Sequence, residues 1–181
     1  MARSLAPGIG FLAAVLLACD AGGPPPTSVS LPDTADQVLY GVVHNVTIEG
    51  VRRIRLEADT VYFYQTSQSA EMMGVKVQFY SAQGVLRSTV ISDEGTYEWR
   101  NGDMEARGNV LARTPDERRL TTEVLAYDQR TEVISGSEAF VFDAPDRHLE
   151  GDGFTADPDF TSVTTTRPRR GRIRDADVRR P

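Results

Sequence analysis

From about Asp36 onward, apolar and polar residues alternate in short runs. Arg53-Ile54-Arg55-Leu56-Glu57-Ala58 alternates strictly, as do Val75-Lys76-Val77-Gln78-Phe79 and Asp103-Met104-Glu105-Ala106-Arg107. A period of two puts successive side chains on opposite faces of a strand, one face buried and one wet. Turn signals separate the runs: Ala82-Gln83-Gly84, Arg100-Asn101-Gly102-Asp103 and Asp128-Gln129-Arg130-Thr131. Asn101-Gly102 is the strongest, because both residues tolerate the positive φ of a tight hairpin. Helical periodicity is absent over any useful length. Residues 34–46 leave room for one helical turn, yet Val42-Val43-His44-Asn45-Val46 reads better as the first strand. The pattern predicts an all-β domain over residues 36–166.

The alternations also repeat. Leu56-Glu57-Ala58-Asp59, Ile91-Ser92-Asp93-Glu94, Leu120-Thr121-Thr122-Glu123 and Leu149-Glu150-Gly151-Asp152 recur at spacings of 35, 29 and 29 residues. In each an aliphatic residue precedes an acidic residue, and an aromatic-bearing strand follows: Tyr62-Phe63-Tyr64, Tyr97 and Trp99, Tyr127, then Phe154. Between the copies lie glycine-bearing segments, Gly74-Val75, Gly108-Asn109-Val110 and Gly136. Paired strands repeated about every 30 residues imply stacked rungs, none of which buries its apolar face alone. The alternative is a simple β-sandwich whose strands resemble one another by chance. Stacked rungs leave unpaired backbone groups on their end strands, ready to accept another chain. Phe160-Thr161-Ser162-Val163-Thr164-Thr165-Thr166 is a β-prone, uncharged candidate for such an edge.

The segment before the domain has a different character. Arg3 is followed by an apolar stretch from Ile9 to Ala18 that closes in Leu16-Leu17-Ala18-Cys19. Ten residues are too few to span a bilayer, which takes ~20. The layout is that of a secretory signal ending in a lipobox, with residues 1–18 as signal peptide and Cys19 as the site of lipid attachment. A plain secretory signal that happens to contain a cysteine is the blander reading. Cys19 is the only cysteine of the chain, so once acylated it leaves no thiol for an intrachain disulfide. Residues 19–35, rich in proline and glycine, read as a semi-extended spacer between the anchor and the domain.

The net charge of −6 hides an asymmetry. Residues 167–181 carry seven Arg and two Asp, a net +5, which with Arg3 leaves −12 for residues 19–166. An acidic body argues against nucleic-acid binding. The Arg-rich segment 167–181 reads as a disordered tail, with contact to anionic lipid headgroups as its functional version.

The chain offers little for chemistry. His44 and His148 lie far apart and neither has ligand spacing to a second His or Cys, so no metal site is assigned. There is no nucleophile elbow or phosphate-cradling loop. The carboxylates read as wet-face or turn residues. The expectation is a protein that is not an enzyme and takes no cofactor. The aromatic residues of the strands suit ordinary core packing or a lipid-binding groove equally.

One ordered set of segments resembles a known family. Leu56-Glu57-Ala58-Asp59, Gly74-Val75, Asp93-Glu94-Gly95-Thr96-Tyr97, Ala106-Arg107-Gly108-Asn109-Val110, Leu125-Ala126-Tyr127-Asp128, Ile134-Ser135-Gly136 and Leu149-Glu150-Gly151-Asp152-Gly153-Phe154 resemble the LptC and LptA proteins of the OstA-like group, across roughly Val42 to Thr166. The resemblance implies an open β-jellyroll of stacked antiparallel strands whose apolar interior receives the acyl chains of lipopolysaccharide. It implies three partners: lipopolysaccharide, an inner-membrane ABC transporter, and a second, LptA-like periplasmic jellyroll joined by edge-strand pairing. LptC proteins carry an N-terminal transmembrane helix where this chain has its lipobox, which implies periplasmic placement on a lipid anchor. Asp20 resembles the residue that retains some lipoproteins in the inner membrane.

On strand parity the expected groove is lined by Ile54, Leu56, Ala58, Val75, Val77, Phe79, Ile91, Tyr97, Met104, Ala106, Val110, Leu120, Val124, Ile134, Phe140 and Phe142. A bulge in any strand would turn its residues to the other face. Two other classes remain beside the lipid carrier. A scaffolding lipoprotein would pair through its edge strands around a closed core. A hydrolase or sugar-binding domain would need a polar cleft with converging carboxylates.

Overall fold

The computed structural model describes residues 35–173. Every element in it is a β-strand: β1 Gln37–Ile48, β2 Val51–Tyr64, β3 Ser69–Tyr80, β4 Leu86–Glu98, β5 Met104–Arg113, β6 Arg119–Asp128, β7 Val133–Asp143, β8 Arg147–Ala156 and β9 Val163–Ile173. The strands form one antiparallel sheet in sequence order, and among the described residues β1 and β9 each keep a free edge. The repeat of about 30 residues is therefore one pair of successive strands. The expected signal peptide 1–18, the expected lipid-attachment residue Cys19, all of the expected spacer 19–35 but its last residue, and residues 174–181 lie outside the described residues.

A row of irregularities crosses the middle of the sheet. The registers of β4 with β5, β5 with β6, β6 with β7 and β7 with β8 all shift near mid-strand, between Ile91 and Glu94, Arg107 and Val110, Thr122 and Ala126, and Gly136 and Ala139. The repeated residues of the sequence fall on this row. Even strands bring an acid (Asp59, Asp93, Glu123, Asp152) and odd strands bring a glycine (Gly74, Gly108, Gly136). Gly74 and Gly108 have φ of 63° and 73°, a conformation glycine adopts without steric cost. Asn109 follows at φ 48° and donates from Nδ2 to Asp93 Oδ2 at 2.7 Å. Extra residues at such sites bend a strand and sharpen its twist.

The bend brings the two halves of the sheet face to face. Phe79 of β3 and Tyr127 of β6 belong to non-adjacent strands, yet their rings meet at 4.8 Å in an edge-to-face arrangement. The core fills the space between the halves, from Ile54 and Leu56 on β2 to Phe154 and Ala156 on β8. Two buried hydroxyls stand at the fold line. Ser92 donates to the carbonyl of Glu94 at 2.8 Å, and Thr122 to that of Ala139 at 3.0 Å. The irregular ladder frees carbonyls there, and a buried carbonyl needs a donor.

Two expectations are corrected. The segment from Arg167 to Ile173 is not a disordered tail: it is the second half of β9, so the domain runs past residue 166. Its arginines face an acidic neighbour. Arg170 lies opposite Glu150, and Arg169 reaches Asp152 at 2.6 Å. Phe160-Thr161-Ser162, expected as the start of that strand, forms the loop before it. The tight hairpin also lies elsewhere. The β1–β2 turn, Glu49-Gly50, has positive φ at both residues, whereas Asn101-Gly102 sits in a five-residue connection with positive φ at Gly102 alone. There Asn101 Oδ1 accepts from the backbone N–H of Asp103, a local turn that suits a longer loop.

Candidate functional site

Ile54, Leu56, Ala58, Val75, Val77, Phe79, Ala106, Val110, Leu120, Ile134, Phe140 and Phe142 line the interior, and all are buried. Tyr97 and Met104 are half-buried and pack against them. Burial raises the Tyr97 phenol and pushes that of Tyr127 up to about 12, as expected where an ionised oxygen would lose its water.

Ile91 and Val124 are corrected. Ile91 is 42 % exposed while its neighbour Val90 is 2 % exposed. Val124 faces outward opposite Arg107, and Leu125 is buried in its place. The cause is the central row of irregularities. In β4 the inward residues run Val90, Ser92, Gly95, Tyr97, and in β6 Leu120, Thr122, Leu125, Tyr127. The step of three at the bend breaks the parity that alternation projects along the strand. Sequence reasoning therefore missed the inward residues past the bend on these and other strands, among them Val61, Met72, Leu125 and Phe154. The signal was present in the repeated acid and glycine, which mark where counting must restart.

The interior is largely apolar and nearly full. A void of about 20 Å³ lies among Leu56, Met72, Val75, Val90, Met104 and Leu125, less than one water's share of the liquid. A second void, of about 60 Å³, is walled by Val46, Ile48, Ile54, Phe79, Tyr127 and Pro158, with Arg53, Arg87 and Glu132 also lining it. Coverage thins at β1. Val42 and Val46 are half-buried, His44 is exposed with its ring 5.6 Å from that of Tyr97, and Leu39 is 38 % exposed. The apolar interior thus runs through β2–β8 and opens along β1.

The two free edges differ. Gln37–Ile48 contains no charged residue, whereas Val163–Ile173 carries Arg167, Arg169, Arg170 and Arg172. The β7–β8 hairpin holds His148 between two carboxylates, with Nδ1 2.6 Å from Asp143 and Nε2 2.9 Å from Glu150. The Asp143 carboxylate first, then that of Glu150, holds the imidazole above its usual pKa. Among the described residues no cluster of three or more His, Cys, Asp or Glu is arranged to hold a metal. No helix among them is long and apolar enough to cross a membrane.

Residues 10–164 match a family model described as LptC, lipopolysaccharide-assembly, LptC-related. No curated protein matches the chain.

Proposed function

We propose that this chain, which belongs to the LptC family of lipopolysaccharide-assembly proteins, binds the acyl part of lipopolysaccharide between the halves of its sheet and relays it along the export route. Membership makes it a component of envelope lipopolysaccharide transport and assembly, and the family is not one of enzymes. The observation that carries the finer reading is the apolar interior, continuous from β2 to β8 and thinly covered at β1. Hydrocarbon costs about 0.8 kcal/mol per CH₂ to leave in water, so a carrier needs a dry path of this kind. The free edges supply the means of relay. A neighbouring jellyroll adds its strand to β1 or β9, and the apolar path continues from one protein to the next. The lipid on Cys19, with the spacer to residue 35, holds the domain at the membrane beside an ABC transporter, and Asp20 favours the inner membrane.

The test combines native mass spectrometry of the full-length chain with photo-crosslinking. One lipopolysaccharide per chain, crosslinked from a probe at Phe140 but not from one at Ile91, is the expected result. A second reading has a specific observation in its favour. The interior voids are far too small for an acyl chain as they stand, which suits a scaffold that pairs through its edges around a closed core. A folded chain that stays empty through the titration would establish that reading instead.

A further inference from the structure

The buried core has one large apolar side chain that no strand carries. Phe160, 1 % exposed, comes from the loop 157–162 between β8 and β9. Its φ is 51°, a conformation that costs an aromatic residue energy and persists only where its surroundings enforce it. Within the loop Phe160 N–H donates to the Asp157 carbonyl and Ser162 N–H to Asp157 Oδ1, each at 2.9 Å, and three arginines of other segments tie the loop down. Arg87 of β4 forks onto Asp159, Nε to Oδ1 at 2.5 Å and Nη2 to Oδ2 at 2.8 Å. Arg118 of the β5–β6 turn donates to the carbonyl of Asp159 at 3.2 Å, and Arg147 to that of Thr161 at 2.7 Å.

The same arginine stands beside a void with apolar walls on one side and charged groups on the other. Arg87 lies 3.7 Å from Glu132, which pairs with Arg53 at 3.3 Å. All three side chains line the 60 Å³ space walled by Ile54, Phe79, Tyr127 and Pro158. Any ligand entering so full an interior must displace something. A strand cannot leave without breaking its ladder, whereas the loop is held by its own turn on Asp157, the seat of Phe160 and a few arginine contacts, with no ladder to break. A phosphate offers Arg87 the same forked pair of oxygens that Asp159 does.

We propose that loop 157–162 is a displaceable plug over a site for an anionic amphiphile: an acyl chain takes the seat of Phe160, and the headgroup replaces Asp159 on Arg87. The proposal rests on the reading that the interior takes acyl chains, and adds the point of access and the headgroup contact.

The test uses the full-length chain with two probes, lipopolysaccharide and the same lipid stripped of its phosphates. In the wild type, hydrogen–deuterium exchange should speed up in 157–162 when lipopolysaccharide binds, while β3 and β4 keep their protection. Asp159→Asn weakens the competitor for Arg87 and should tighten lipopolysaccharide binding by about tenfold. Arg87→Gln should weaken binding of the phosphorylated lipid but not of the stripped one. Slower exchange in the loop on binding overturns the plug, even if no variant folds. Equal losses for both lipids in Arg87→Gln overturn the headgroup contact. A wild type that binds neither lipid sinks the carrier reading and this site together, whereas binding with an undisturbed loop sinks the site alone.

Discussion

Asp59 occupies the space that a side chain at Gly74 would need. A Cβ built on Gly74 would stand 2.7 Å from Asp59 Cγ, on a residue whose φ is already +63°. Gly84, at φ +75°, has nothing nearer than 3.8 Å. Gly84→Ala should therefore cost only the conformational penalty of about 1–2 kcal/mol. Gly74→Ala should cost that and a displacement of Asp59, about 2–4 kcal/mol in all. Urea midpoints of the two variants decide the matter, and equal losses would mean that the acid and the glycine are not packed together.

Adjacent residues of β4 test the bend. Val90→Ala should destabilise by about 2 kcal/mol and Ile91→Ala by less than about 1 kcal/mol, because the first opens a cavity and the second trims an exposed side chain. The reverse order would restore the simple parity of the sequence. Phe142, 0 % exposed, sets the scale, with a loss of about 3–5 kcal/mol on truncation to alanine.

Ser88 is fully buried, and its hydroxyl has no hydrogen-bond partner among the described residues. Ser88→Ala should raise stability by about 1 kcal/mol, since the desolvated hydroxyl disappears with hardly any change in volume. A lower thermal midpoint in the variant would reveal a partner for this group.

The His148 bridge gives stability a pH dependence. Its folded pKa lies above the ordinary 6.5, through Asp143 first and then Glu150. Its contribution is full below 6.5 and fades as pH rises through the raised value. Glu150 is lowered from 4.5 by His148, so its share is full above 4.5 and fades as pH falls through the lowered value. The gap in stability between wild type and His148→Gln should thus be larger near about pH 6 than near about pH 9. A gap that widens toward alkaline pH would show the bridge to be unimportant.

Strand β9 should depend on the carboxylates of β8. Glu150→Gln with Asp152→Asn removes the groups facing Arg170 and Arg169 and leaves arginines crowded on an edge. Amide exchange across 163–173 should accelerate while β5 and β6 stay protected. Unchanged exchange would mean that backbone pairing alone holds the strand.

Alternation along β2 and β3 was sufficient to find Ile54, Leu56, Ala58, Val75, Val77 and Phe79 as one inward face, because these half-strands are regular on that side of the bend. Projected across the bend from Tyr97, the same rule reached Ile91 instead of Val90. Composition misjudged Arg167–Ile173 for a related reason. Seven residues with four arginines and a proline look unable to form a strand until Glu150 and Asp152 are known to lie across from them.

The sequence by itself determined the β-class, the pairing of strands in repeats of about 30 residues, and the recurring acid and glycine that carry the family resemblance. All of these follow from local alternation and from turn and glycine chemistry, which neighbouring residues dictate. Only the tertiary structure decided which face each half-strand presents, that the arginine segment completes the sheet, and that Phe160 joins the core from a loop tied by Asp159 to Arg87. Each of those depends on residues far apart in the chain, brought together when the bent sheet closes over its own apolar face.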